Sequence, residues 1–114
     1  MQKYELLYSD EALLDLKSIE NYIVYQLKNP DAAWNTVDGI MNTIDKIPIS
    51  PFEHPLVLDP YLSDFGIRLT SYKNYNILYI IKKLSLEIYI VRIFYNRRDW
   101  KSLLKRDTHF FPVK

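Results

Sequence analysis

Arginine, lysine and tyrosine side chains are concentrated in the second half of the chain, and they are the residues that could do chemistry on an anionic substrate. Arginine and lysine can stabilise the negative charge that develops on a phosphate group, while tyrosine can stack on a base or transfer a proton. Together, such groups could support chemistry on a phosphate group without a metal ion. The candidates are Arg68, Lys73, Arg97 and Arg98, together with Tyr72, Tyr75 and Tyr95.

The charge of the chain is divided unevenly between its two halves. Residues 1–65 contain four lysines and 11 acidic residues, whereas residues 66–114 contain 11 lysines or arginines and three acidic residues. The net charge of +1 therefore conceals a basic half that can focus a positive potential on a polyanion or an acidic partner. Because its acidic residues are scattered, this half shows no carboxylate cluster for Mg²⁺, and we predict no metal or other cofactor.

The composition predicts one soluble domain. A chain of 114 residues, 48% hydrophobic and 25% charged, is long enough for a single continuous core. It contains no cysteine, which excludes disulfides, thiol catalysis and thiolate metal sites. Its apolar runs are too short to span a membrane and its first residues lack the layout of a signal peptide, so we expect a cytoplasmic protein without membrane contact.

The first half has the pattern of one strand and two helices. Residues 3–8 alternate as a strand with one buried face, and Ser9 offers a hydroxyl cap to a helix whose apolar stripe continues to Leu27. A second helix begins at Pro30, and its stripe continues to Ile47. Because the connection between them is short, the two helices are expected to form an antiparallel hairpin.

The second half has the pattern of a connector followed by three strands. Residues 48–65 hold four prolines and no glycine, which predicts a stiff connector rather than a helix. Strands are predicted around residues 66–71, 75–82 and 87–95, with one or two turns of helix near Trp100–Leu104. The order β-α-α-β-β-β-(α) predicts an α+β domain in which the helical hairpin packs on one face of an antiparallel sheet.

Several polar and aromatic side chains have simple structural explanations. Arg92 lies in a strongly apolar strand, so we expect it to be buried and paired with a helix carboxylate such as Asp15. Trp34 is expected to pack in the core or between helices, and His54 is expected at the surface. The candidate arginines could likewise be solvated charges or members of ion pairs; Arg98, for example, precedes Asp99.

Several stretches of the chain, in their order and spacing, resemble the RelE/ParE superfamily of toxins from type II toxin–antitoxin modules. Tyr8–Ile23 is similar to the first strand and helix of that family, and Gly66–Leu69, Tyr75–Tyr79 and Ile90–Asp99 are similar to its sheet. The resemblance implies a growth-inhibiting toxin that a cognate antitoxin holds inactive. It also implies one of two targets: messenger RNA bound to the ribosome, or DNA gyrase.

The resemblance also implies site residues. Arg68 and Arg97 match two basic positions of the RNA-cleaving class and are the expected catalytic residues, whereas Asn76 stands where that class has an arginine and Leu103 lies near its terminal tyrosine position. The expected nucleic-acid-binding residues are Lys73, Tyr75, Tyr95, Arg98 and Lys101. Three hypotheses stay open: a metal-independent mRNA endonuclease, a gyrase poison, and a non-toxic nucleic-acid-binding remnant of the fold.

Overall fold

The computed structural model describes residues 3–96, and these form a four-stranded sheet with a helical hairpin on one face and a proline-rich connector on the other. The strands are β1 (Glu5–Tyr8), β2 (Arg68–Tyr72), β3 (Tyr75–Lys82) and β4 (Glu87–Tyr95). The helices are α1 (Asp10–Asn21), which continues as a π-helical turn (Tyr22–Gln26), α2 (Pro30–Lys46), which ends in a 3₁₀ turn (Ile47–Ile49), and the short α3 (Pro60–Ser63).

The strand order in the sheet is β1-β4-β3-β2, which makes the sheet mixed. The three strands β2, β3 and β4 form the predicted antiparallel meander. Strand β1 instead pairs with β4 in parallel, from Glu5 opposite Glu87 to Tyr8 opposite Ile90. The α+β arrangement is therefore confirmed, while the sheet is antiparallel only within the meander. Its parallel edge is possible because the helical hairpin carries the chain away from β1 before the meander begins.

Side-chain caps fix where the two long helices begin. The Ser9 hydroxyl oxygen accepts a hydrogen bond from the Ala12 amide at 2.9 Å and donates one to the Val91 carbonyl at 2.6 Å, so it starts α1 and joins it to β4. Asn29 accepts a hydrogen bond from the Ala32 amide at 3.1 Å, and Pro30 occupies the first turn of α2. Both predicted helix starts are confirmed.

The core consists of two apolar layers, one on each face of the sheet. The layer against the hairpin includes Leu16, Ile40, Ile44, Tyr79 and Ile90, and the layer against the connector includes Leu62, Ile67, Leu78, Val91 and Phe94. A register shift between β3 and β4 after Leu78 leaves one extra residue on β4, so Ile90 and Ile93, three residues apart, both face the hairpin layer. Trp34 is 59% exposed, so its predicted core position is wrong; its neighbour Ala33 takes the buried position on α2.

The connector contains more structure than its prolines suggested. Pro60 begins a single helical turn that Asp59 caps by accepting a hydrogen bond from the Leu62 amide at 3.1 Å, and Leu62 is completely buried. Before that turn, the Val57 amide donates to the Ile67 carbonyl at 2.9 Å and the Leu69 amide donates to the Pro55 carbonyl at 3.1 Å. The connector therefore pairs with the start of β2 and covers part of that edge of the sheet.

Candidate functional site

The predicted catalytic residue Arg68 is held by the connector. Its Nη1 atom donates a hydrogen bond to the His54 carbonyl at 2.6 Å, and its guanidinium lies 5.2 Å from the centroid of the Phe52 ring. Beside it, the Tyr79 hydroxyl donates to the Pro51 carbonyl at 2.7 Å, and the ring of the half-buried His54 meets Tyr79 edge-on at 6.3 Å. Arg68 therefore fastens the connector to the sheet.

Three of the predicted nucleic-acid-binding residues meet at the opposite end of the sheet. Tyr75 and Tyr95 are direct partners across β3 and β4, and their rings meet edge-on with centroids 5.6 Å apart. Lys73 lies in the tight turn between β2 and β3, where its φ is 51°, and its ammonium group is 5.5 Å from the centroid of the Tyr72 ring. This end of the sheet therefore carries one cation, held over Tyr72, and a pair of phenols on the neighbouring strands.

The two ends of β2 hold these groups apart. Arg68 is the first residue of β2, whereas Tyr72, which precedes Lys73, is its last. Four residues of a strand span about 13 Å, so Arg68 and Lys73 cannot bind the same phosphate group. Burial, followed by the neighbouring Tyr95 and Tyr22, raises the pKa of Tyr75, so its phenol keeps its proton at neutral pH. Tyr75 is thereby suited to donating a hydrogen bond or stacking.

Asn76 stands where the RNA-cleaving class has an arginine on strand three, and it lies opposite Ser71 on β2 and Phe94 on β4. The remaining predicted site residues, Arg97, Arg98 and Lys101, lie outside the described residues, as do Leu103 and the predicted last helix.

A groove opens beside the tyrosine pair, within the part of the chain that the structure describes. It has a volume of about 510 Å³ and lies between α1, the π-helical turn and the end of β4. Its walls are mostly apolar and aromatic, formed by Ile19, Tyr22, Leu27, Tyr75, Ile93 and Tyr95. The sequence prediction missed Tyr22 and Leu27; both are large side chains that remain 56% exposed.

Asp15 lines this groove and forms with Arg92 the pair that the sequence predicted. The Arg92 Nε and Nη2 atoms donate to the two carboxylate oxygens of Asp15 at 2.8 and 2.9 Å. The side chains are 13% and 11% exposed, respectively. Asp15 also accepts a hydrogen bond from the Ile93 amide at 2.9 Å, so α1 supplies a hydrogen-bond partner for β4 beyond the end of β1. This pair is a structural link between helix and sheet.

The described residues show no cluster suited to a metal ion and no helix suited to a membrane. Within residues 3–96, no group of three or more histidine, cysteine, aspartate or glutamate side chains is placed to hold a metal. Within the same range, no helix combines the length and apolar character needed to cross a bilayer.

Comparison with known proteins places residues 6–100 under the family model described as ParE toxin of the type II toxin–antitoxin system parDE. No curated protein matches the chain. A solved structure of the chromosomal ParDE toxin–antitoxin system from P. aeruginosa is similar, with a TM-score of 0.67 and 21% identity over 80% of this chain and 94% of that one.

Two RelE-type structures share the fold at lower similarity. The RelBE2 toxin–antitoxin complex from Mycobacterium tuberculosis has a TM-score of 0.55 and 15% identity, covering 82% of this chain and 98% of that chain. The isolated RelE toxin from E. coli has a TM-score of 0.51 and 14% identity, covering 90% and 97% of the two chains, respectively.

Proposed function

We propose that this chain, which belongs to the ParE toxin family within the RelE/ParE superfamily, arrests growth by poisoning DNA gyrase and is neutralised by a cognate antitoxin. The family match favours the gyrase-directed class over the RNA-cleaving class. The antitoxin is supported by the solved ParDE and RelBE2 systems, both of which are toxin–antitoxin pairs.

The observation that carries the gyrase proposal is the position of Arg68. A catalytic cation for RNA cleavage must be free to donate to a phosphate oxygen in the transition state. In this chain Arg68 already donates a hydrogen bond to the His54 carbonyl and lies against the Phe52 ring, and both of these residues belong to the connector. On strand three, the position that carries an arginine in the RNA-cleaving class is the neutral Asn76.

The alternative target, ribosome-bound messenger RNA, retains one supporting feature. Lys73, Tyr75 and Tyr95 form a cationic and aromatic group that could stack a base and bind a phosphate. That group is also compatible with binding to a protein target, because tyrosine pairs beside a groove are common in protein interfaces.

Two parallel assays on the purified chain test the proposal. The first measures supercoiling of relaxed plasmid by gyrase, and the second measures cleavage of messenger RNA in a cell-free translation reaction. The proposal expects concentration-dependent loss of supercoiling with the messenger left intact. Codon-positioned cleavage of the messenger with normal supercoiling would assign the chain to the RNA-cleaving class instead.

A further inference from the structure

The ring of Phe52 lies close to two cationic side chains that come from different parts of the fold. The Arg68 guanidinium on β2 and the Lys83 ammonium group in the turn between β3 and β4 are each 5.2 Å from the centroid of this ring. The ring faces attract both cations, and the Arg68 hydrogen bond to His54 fixes the geometry. Phe52, Arg68 and Lys83 form a preorganised unit, which we call the Phe52 site.

Within residues 3–96, neither Arg68 nor Lys83 of the Phe52 site forms an ion pair with a carboxylate. Glu53, which follows Phe52 in the chain, acts electrostatically on the Tyr79 hydroxyl, as Arg68 does with the opposite sign, so it offsets part of this positive charge. The charged groups of Arg68 and Lys83 can be no farther apart than about twice the cation–ring distance. Holding cations this close is unfavourable in isolation, so an anionic group placed near them would relieve the repulsion.

Exposed apolar side chains lie close in sequence to Phe52 and Lys83. Leu84, which follows Lys83, is fully exposed, and Ile49, three residues before Phe52, is 80% exposed. Phe52 itself keeps 45% of its surface exposed. Large aliphatic side chains left in water beside lysines and an arginine are a surface that gains from being covered by apolar groups.

We propose that the Phe52 site docks an acidic, amphipathic peptide segment of the antitoxin. Carboxylates of that segment would lie at Arg68 and Lys83 while its apolar side chains cover Ile49 and Leu84. This inference rests on the proposed antitoxin partnership and adds a surface distant from the groove at Tyr75 and Tyr95.

Charge and shape favour a peptide over a nucleic acid at the Phe52 site. Both cations lie over the Phe52 ring, in the positions that a stacked base would need. A phosphodiester backbone would satisfy the cations but offers nothing apolar to cover Leu84. An acidic peptide with regularly spaced leucines supplies both kinds of group.

The test uses the full chain and a fluorescein-labelled synthetic peptide of about 15 residues that carries glutamates on one helical face and leucines on the other. Fluorescence anisotropy gives the dissociation constant at low and high salt, and NMR shifts of Phe52 and Leu84 locate the binding surface. We expect Lys83→Gln to weaken binding about fivefold and to reduce its salt dependence. The matched control, Lys17→Gln on α1, should bind as the wild type does.

A second variant separates the apolar contribution. Leu84→Ser leaves every charge in place, so it should weaken binding about threefold to tenfold at both salt concentrations, the scale for uncovering one aliphatic side chain. Because Leu84 is fully exposed, this change should not affect folding.

Four outcomes would overturn the inference. Binding that is equal for wild type and Lys83→Gln would show that the peptide binds elsewhere on the chain. Shifts that do not include Phe52 and Leu84 would likewise place the peptide elsewhere. If oligothymidylate of matched length binds more tightly, with the same dependence on Lys83, the Phe52 site is a nucleic-acid site. If gyrase displaces the peptide, the Phe52 site is instead a binding surface for gyrase. These binding measurements follow neither DNA supercoiling nor translation, so their failure leaves the supercoiling result unaffected.

Discussion

The carboxylate of Asp15 on α1 binds the guanidinium of Arg92 on β4 through two hydrogen bonds, at 2.8 and 2.9 Å, across 77 residues of sequence. Because Asp15 also accepts from the Ile93 amide, one side chain satisfies both a buried charge and the open edge of β4. Removing it would take the carboxylate from a largely buried arginine and the hydrogen-bond acceptor from a strand amide.

We therefore expect Asp15→Asn to lower the free energy of unfolding by about 2–4 kcal/mol, the scale for breaking a largely buried pair. Urea denaturation followed by circular dichroism measures this loss. Asp38→Asn on the exposed face of α2 is the matched control and should change stability by less than about 0.5 kcal/mol. A loss for Asp15→Asn no larger than that of the control would mean that the pair contributes little to stability.

The contact between Gly39 and Tyr72 predicts that the effect of Gly39→Ala on stability depends on whether the Tyr72 ring is present. A Cβ atom at Gly39 would overlap the outer end of the Tyr72 ring, which packs against α2. In the wild type, Gly39→Ala should therefore be neutral or destabilising, even though alanine favours a helix by about 1 kcal/mol. In a Tyr72→Ala background the overlap disappears, so the same change should stabilise by about 1 kcal/mol. Thermal unfolding of the four proteins separates the two cases; equal effects in both backgrounds would contradict the packing account.

The raised pKa of Tyr79 leads us to expect that the folded protein loses stability at alkaline pH. Burial raises its pKa from 10.0 to about 12, with Glu53 adding to the rise and Arg68 opposing it. The folded protein therefore keeps this proton between pH 10 and 12 while the unfolded chain loses it. The stabilisation is complete below pH 10 and falls as the pH approaches 12, by about 1 kcal/mol at pH 11.

The variant Tyr79→Phe isolates that contribution. It loses the hydrogen bond to Pro51 at every pH, so the informative quantity is the change between pH 9 and pH 11 within each protein. Tyr79→Phe should lose about 1 kcal/mol less over this interval than the wild type, as measured by urea denaturation. Parallel losses in the two proteins would show that Tyr79 does not titrate as the buried environment implies.

We expect Arg68 to stabilise the folded conformation of the connector. Arg68→Gln removes the hydrogen bond to His54 and the cation from the Phe52 ring, and we expect a loss of about 1–2 kcal/mol. Hydrogen exchange gives a more local measure: the Val57 amide, which donates to Ile67, should exchange faster in this variant. Lys73→Gln, at the other end of β2, should leave that amide protected. Unchanged protection in Arg68→Gln would contradict the fastening role.

The elements with strong local signals could be predicted from the sequence. Strands β3 and β4 have the predicted bounds because their β-branched and aromatic runs are long and end at polar turns. The Arg92–Asp15 pair was also predictable, since an arginine in an apolar strand needs a carboxylate, and an acidic residue on the facing helix supplies one.

Features that depend on distant backbone were not predictable. The parallel pairing of β1 with β4 is a choice between sheet edges that local patterns do not encode. The hydrogen bond from Arg68 to the connector could not be predicted, because its acceptor is a backbone carbonyl. Every residue has such a carbonyl, so no residue type signals this contact. The exposure of Trp34 was foreseeable in part, because it lies one position off the apolar stripe of α2.

The central claim is that this chain poisons DNA gyrase, and the most direct measurement is gyrase-mediated cleavage of supercoiled plasmid in the presence of the purified chain. A gyrase poison traps the enzyme on broken DNA, so protein denaturation after the reaction should release linear plasmid in amounts that rise with toxin concentration. Omitting gyrase should abolish the linear product. Plasmid that stays supercoiled at saturating toxin, with messenger RNA cut in the parallel translation reaction, would contradict the claim.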